Sequence, residues 1–184
     1  MATNQPKPMS STNYKLAETL ATLDGDQLET TFLAAVIPHH QDAIEMAELE
    51  LKSGSSPDIR THAENIIGNQ QHQIDQFTRW LDEWYGFTPE AAMAQVPKDA
   101  HKVMQAMQSE TQKMLKELAT VPAGKDFDVT FVREMIPHHH SGIVEFLEVQ
   151  SRAVHPQLRI SATEGITTQQ AQAANFRTWL AAQN

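Results

Sequence analysis

"FLAAVIPHHQDAIEM" spans Phe32–Met46, and "FVREMIPHHHSGIVEF" spans Phe131–Phe146. Each stretch sets Ile-Pro-His-His five residues after a phenylalanine. Around them, residues 31–81 align with 130–180 at a constant offset of 99 without a gap, and 17 of the 51 pairs are identical. The identities include Phe32/Phe131, Pro38/Pro137, His39/His138, His40/His139, Pro57/Pro156, Arg60/Arg159, Gln70/Gln169, Gln73/Gln172, Phe77/Phe176 and Trp80/Trp179. Several of these residue types are rare, so coincidence does not explain the match. The chain is a duplicated unit.

Periodicity says what one unit is. Leu28, Phe32, Ala35, His39, Ala43 and Met46 recur at three- and four-residue steps, the mark of one helical face. Gly54-Ser55-Ser56-Pro57 interrupts the pattern, and Pro57 suits the first turn of a following helix. Ala63, Ile66, Gln70, Gln73, Phe77, Trp80 and Leu81 then make a second stripe. Each unit is a helical hairpin. The spacing predicts repeat one over 26–86, connecting helices over 88–121 with a break at Val96-Pro97, and repeat two over 126–183. Residues 12–23 suggest a short leading helix, and the polar residues 1–11 a disordered arm before a single domain over 12–184. No segment alternates as a strand does. The expected fold is all-α: two pseudo-symmetric helical hairpins joined by a long helical connection, with Phe32, Phe77, Trp80, Phe131, Phe176 and Trp179 largely buried.

Pro38 and Pro137 fall inside predicted helices, where proline removes a hydrogen bond and costs about 3 kcal/mol. The apolar stripe keeps phase through Pro38, which favours a kinked continuous helix over two separate ones.

Composition narrows the chemistry. With 184 residues and no cysteine, the chain excludes disulfides, thiolate metal sites and cysteine nucleophiles. A formal net charge of −9 argues against a sequence-independent grip on nucleic acid, and no apolar run is long enough for a membrane span. Nine histidines and eight methionines leave imidazole, thioether and carboxylate as the available metal donors. Glu-x-x-His, His-Glu-x-x-His, Gly-x-Ser-x-Gly and P-loop patterns are all missing.

Packing about an approximate two-fold axis would bring one imidazole of each His-His pair together. His39, His40, His138 and His139 are therefore candidate metal ligands together with Met46 and Met135, and Glu145 is a possible further ligand near them. Gln70, Gln73, Gln169 and Gln172 interrupt apolar stripes and are expected to orient the histidines through their second ring nitrogens. His140 is an additional imidazole, and His101, Met104, Met107 and Met114 form a further stripe on the connecting helices. The same residues admit other readings. Core histidines can satisfy one another and the glutamines in a structural or protein-interaction bundle, or act as acid-base groups in an enzyme. The last is the weakest, because no nucleophile or convergent carboxylate pair accompanies them.

The segments "VIPHHQDAIEMA" and "MIPHHHSGIVEF", followed by "QQHQIDQFTRWL" and "QQAQAANFRTWL", resemble the domain of unknown function 305 family over most of residues 28–181. The resemblance implies a ferritin-like helical bundle. It also implies an extracytoplasmic protein that binds copper, with silver or zinc as alternatives, in non-catalytic metal buffering or resistance. The family's methionine before the His pair is Val36 in unit one and Met135 in unit two, and the one after it is Met46 and Glu145. Each unit keeps one motif methionine.

Overall fold

The computed structural model describes residues 5–183. Within them lie α1 (Ser11–Ala21), α2 (Gly25–Ser53), α3 (Pro57–Tyr85), α4 (Pro89–Gln95), α5 (Lys98–Leu118), α6 (Lys125–Arg152) and α7 (Pro156–Ala181), and no strand occurs among the described residues. The fold is the all-α, ferritin-like bundle expected, with hairpins α2/α3 and α6/α7 meeting across α2 and α6. The connection does not stand apart: α4 packs on α2, and α5 packs on both α1 and α2.

Local chemistry sets the helix ends. Pro57 and Pro156 open α3 and α7, where the missing N–H has no helical partner to lose. Gly86 closes α3 at φ 67°, a left-handed conformation that glycine adopts without steric cost.

Both α2 and α6 run unbroken through their prolines. A proline frees the carbonyl four residues before it. For Pro137 that carbonyl belongs to Arg133, and the Lys7 backbone N–H donates to it at 3.1 Å. Arg133 Nε donates in turn to the Gln5 carbonyl at 2.9 Å, and Lys7 pairs with Glu134. The proline leaves an acceptor, and the arm, read from the sequence as a disordered segment over 1–11, supplies its donor. Residues 1–4 lie outside the described residues.

The two units are locked by a bond made twice. Glu29, fully buried on α2, accepts from the His155 backbone N–H (2.8 Å), His155 Nδ1–H (2.6 Å) and the Tyr85 hydroxyl (2.5 Å). Asp128 on α6 accepts from the backbone N–H groups of Ser55 (2.8 Å) and Ser56 (3.1 Å) and from the Ser55 hydroxyl (2.7 Å). Glu29 and Asp128 are equivalent in the repeat, and so are Ser56 and His155. Each carboxylate therefore sits at the start of the other unit's second helix, where exposed N–H groups favour negative charge. Arg60 and Arg159, equivalent again, close the turns by donating to the Leu51 carbonyl (2.6 Å) and the Ala153 carbonyl (2.5 Å).

Two apolar clusters flank the histidine layer. One gathers Phe32, Phe77 and Phe146, and the other gathers Phe127, Phe131 and Phe176 with Met46 and Ile59, so each mixes residues from both units. Phe32, Phe77, Phe131 and Phe176 are fully buried as expected. Trp80 and Trp179 are buried less completely, packed at the rims of the clusters. Trp80 stacks on Trp84 (ring centroids 4.8 Å apart), which stacks on His155 (3.8 Å). An indole at a rim buries its face while its N–H stays near solvent.

Burial pushes the Asp128 carboxyl up, but the neighbouring Glu50 carboxyl and the hydrogen bonds from Ser55 and Ser56 outweigh it and hold the group below its ordinary value. A depressed carboxylate adds stability above its unfolded-state pKa and loses it as pH falls through the folded-state value. Asp128→Asn is expected to destabilise the protein by about 1–3 kcal/mol at neutral pH. Urea unfolding should show that deficit shrinking below the ordinary aspartate pKa of 3.8. An equal deficit at every pH would refute the charged clamp.

Candidate metal centre

Adjacent residues on a helix point about 100° apart, so each His-His pair divides its rings between two directions. His39 from α2 and His138 from α6 meet at the centre, stacked with centroids 4.1 Å apart and planes inclined by 28°. His40 and His139 turn toward opposite apolar clusters. His40 lies against Phe77 (5.9 Å) and Phe146 (6.1 Å), and His139 lies against Phe176 (6.2 Å). One imidazole from each pair converges, and the other two diverge.

His40 Nε2–H donates to Gln73 Oε1 at 2.8 Å. An amide oxygen only accepts, so this bond places the His40 proton on Nε2 and leaves a lone pair on Nδ1. Gln172 approaches His139 from the equivalent direction, yet no hydrogen bond of proper geometry forms to either ring nitrogen there. Gln70 and Gln169 are buried without reaching a motif histidine among the bonds formed. Gln169 packs directly on Gly142, where a Cβ would come within 2.4 Å of its Oε1.

Glu145 is fully buried, with Oε1 lying 3.4 Å from His39 Nδ1 and accepting from the Ser141 hydroxyl at 3.3 Å. Burial raises its pKa, and the nearby His39 and Ser141 oppose the rise. Met46 and Met135 come from different units but pack into the same apolar cluster, that of Phe131 and Phe176. Their repeat equivalents behave differently: Val36 belongs to the other cluster, and Glu145 faces His39. The thioethers are thus gathered at one end of the histidine layer. His140 is half-buried and stands under the influence of Arg177, so it does not join the central stack.

Burial controls the protonation of the layer. It pushes His40 and His139 down to about 3 and His138 well below its ordinary value, with neighbouring imidazoles adding to the effect. These rings are neutral at pH 7, the form that ligates metal. His39 Nε2, His40 Nδ1, both nitrogens of His138 and His139, and Glu145 Oε2 are buried with no hydrogen-bond partner. Buried polar atoms normally have one. This donor set suits a cation. The stacked rings nevertheless point their nitrogens sideways, and no group of three or more His, Asp or Glu side chains is arranged to hold a metal among the described residues. Coordination would require a ring to rotate.

Asp42 went unnoticed in the sequence because a lone Asp between motif residues carries no pattern. It is buried beside His39, and its pKa is pushed up to about 6, chiefly by burial. The Glu29 and Asp128 clamp was legible in principle, since extending the repeat two residues upstream pairs them. Of the connecting-helix stripe, His101, Met104 and Met107 line a cavity that also touches His39, while Met114 packs against the far cluster.

A family model for the domain of unknown function DUF305 matches residues 7–180. The chain belongs to this family. Solved structures of CopM resemble it along most of both chains. The Cu(I)-bound form is 27% identical, covers 82% of this chain and 94% of its own, and superposes with a TM-score of 0.66. The Cu(II)-bound form is 27% identical with coverages of 85% and 98% and a TM-score of 0.67. A predicted secreted DUF305 protein from Streptomyces coelicolor is 22% identical, with coverages of 80% and 88% and a TM-score of 0.68, and shares the fold. No curated protein sequence matches the chain. No helix among the described residues is long and apolar enough to cross a membrane.

If the imidazoles are neutral and enclosed, the ring carbon signals of His40 and His139 should stay unchanged in an NMR titration from pH 8 to roughly 4.5. Titration of either ring near its ordinary value of 6.5 would contradict the burial described.

Proposed function

We propose that this DUF305 protein binds a soft or borderline metal ion in the layer between α2 and α6. Copper is the foremost candidate, with silver or zinc as alternatives. The role is metal buffering or resistance outside the cytoplasm, without catalysis. The observation that carries the reading is the set of enclosed imidazole nitrogens of His39, His40, His138 and His139 left without hydrogen-bond partners among the described residues, beside Glu145. Four such rings in one core cost stability unless something occupies their lone pairs. The likeness to CopM solved with Cu(I), Cu(II) and Ag supports the choice of metal.

The central donors in this reading are His39, His138 and Glu145. Gln73 orients His40. Met46, Met135 and His139 lie on the thioether-bearing side, which favours Cu(I) or Ag(I). A bound ion would supply the positive charge that Glu145 lacks when His39 is neutral. A second reading, a structural bundle whose metal site is lost, draws support from the His39–His138 stack and the absence of a ready-made three-ligand group among the described residues.

Equilibrium dialysis against Cu(I), Cu(II), Zn(II) and Ag(I) separates the two. His39→Ala with His138→Ala is expected to abolish the tightest binding event, because the remaining rings face away from each other. Sequence reasoning alone places the pH limit of binding at the ordinary imidazole value of about 6.5. Burial holds His40, His138 and His139 below that value, so protons compete with metal at those rings only at lower pH. Metal uptake through those rings should therefore persist below roughly pH 6.5. Wild-type protein that takes up none of the four ions would establish the structural reading instead.

A further inference from the structure

The connecting helices carry methionines that the imidazole layer does not use. Met93 on α4 and Met104 and Met107 on α5 line a cavity of about 240 Å³ beside Pro38 of α2. His101, one turn before Met104, lines the same space, and Asp42 and His39 from α2 complete its polar wall. Methionine in a helical core ordinarily fills volume. Here the three also border open space: Met104 is buried in the apolar cluster of Phe32 and Phe77, Met93 and Met107 are half-buried against that cluster, and all three line the cavity. His39 contributes a buried Nε2 with no hydrogen-bond partner.

We propose that this cavity is a second soft-cation site, distinct from the layer between α2 and α6. It would take Cu(I) or Ag(I) through the thioethers of Met93, Met104 and Met107, with the His101 imidazole as a further donor. Thioethers are neutral, polarisable donors that select soft monovalent ions over Zn(II) or Mg(II). The carboxylate of Asp42 and the net charge of −9 favour a cation over an anion or a neutral ligand in this space. Unbranched methionine side chains on two separate helices can close around an ion without moving the backbone. Helix α4 is short and joined to α5 at Val96-Pro97, so the donors come from two independently placed segments. The site stands on different residues from the imidazole layer, apart from His39 at their boundary, and does not require that layer to bind metal.

The test uses Ag(I), which is redox-inert, as the probe on the full chain labelled with methyl-¹³C methionine. Addition of Ag(I) is expected to shift the methyl signals of Met93, Met104 and Met107. The near-isosteric replacement Met93→Leu, Met104→Leu, Met107→Leu should lose about one bound equivalent in equilibrium dialysis. His138→Ala, which lies outside the cavity, should leave those three methyl shifts intact. Wild-type methyl signals unmoved by saturating Ag(I) would overturn the proposal, even if the triple variant failed to fold. A folded triple variant with unchanged stoichiometry would do the same. Full stoichiometry in His138→Ala together with shifted cavity methyls would sink the imidazole-layer reading and leave the cavity site standing.

Discussion

A carboxylate that caps a helix belonging to the other half of the molecule is the constraint on which this structure rests. Glu29 holds the start of α7, and Asp128 holds the start of α3. Because each bond crosses between repeats, neither hairpin can slide along the other without exposing a buried carboxylate and several backbone N–H groups. Glu50 shows how tightly this is enclosed: burial, and then the charge of Asp128, push its carboxyl up to about 9, so it is neutral at pH 7. The register set at the two ends of the bundle determines what meets in the middle.

What meets there is costly. Two imidazoles stack, two more face aromatic rings, and a buried glutamate lies beside them. The protein limits the penalty by keeping the rings neutral and by placing phenylalanines on both sides, which excludes water and pushes the imidazole pKa values down. Among the described residues, only the His40–Gln73 bond satisfies a motif imidazole through an amide. A core packed for stability alone would hold apolar side chains here. The prolines serve the same layer: Pro38 and Pro137 each lie immediately before a histidine pair, and Pro137 also leaves the carbonyl that anchors the N-terminal arm.

Pseudo-symmetry makes the departures from it informative. Val36 and Glu145 stand where Met135 and Met46 stand in the other unit, so the two halves of the histidine layer differ in chemistry although their sequences align without a gap. Counted along the sequence, each unit retains one methionine. Placed in space, both methionines belong to the cluster of Phe131 and Phe176. The crossing of α2 over α6 pairs the start of one motif with the end of the other, which an alignment of the two halves does not reveal.

Helices, hairpins and the duplicated histidine pairs were legible in the sequence because they depend on local rules. Apolar residues at three- and four-residue steps, proline at a first turn and glycine at a helix end act within a few residues of themselves. The identity of the convergent imidazoles, the burial of Asp42, the rim positions of Trp80 and Trp179 and the anchoring of Lys7 were decided by tertiary structure alone. Each depends on a partner far along the chain: His138 for His39, α5 for Asp42, and the carbonyl freed by Pro137 for Lys7. Sequence periodicity tells a side chain which face of its own helix it occupies. Only packing decides what that face meets, and with it whether an imidazole finds another imidazole, a glutamine or a phenylalanine ring.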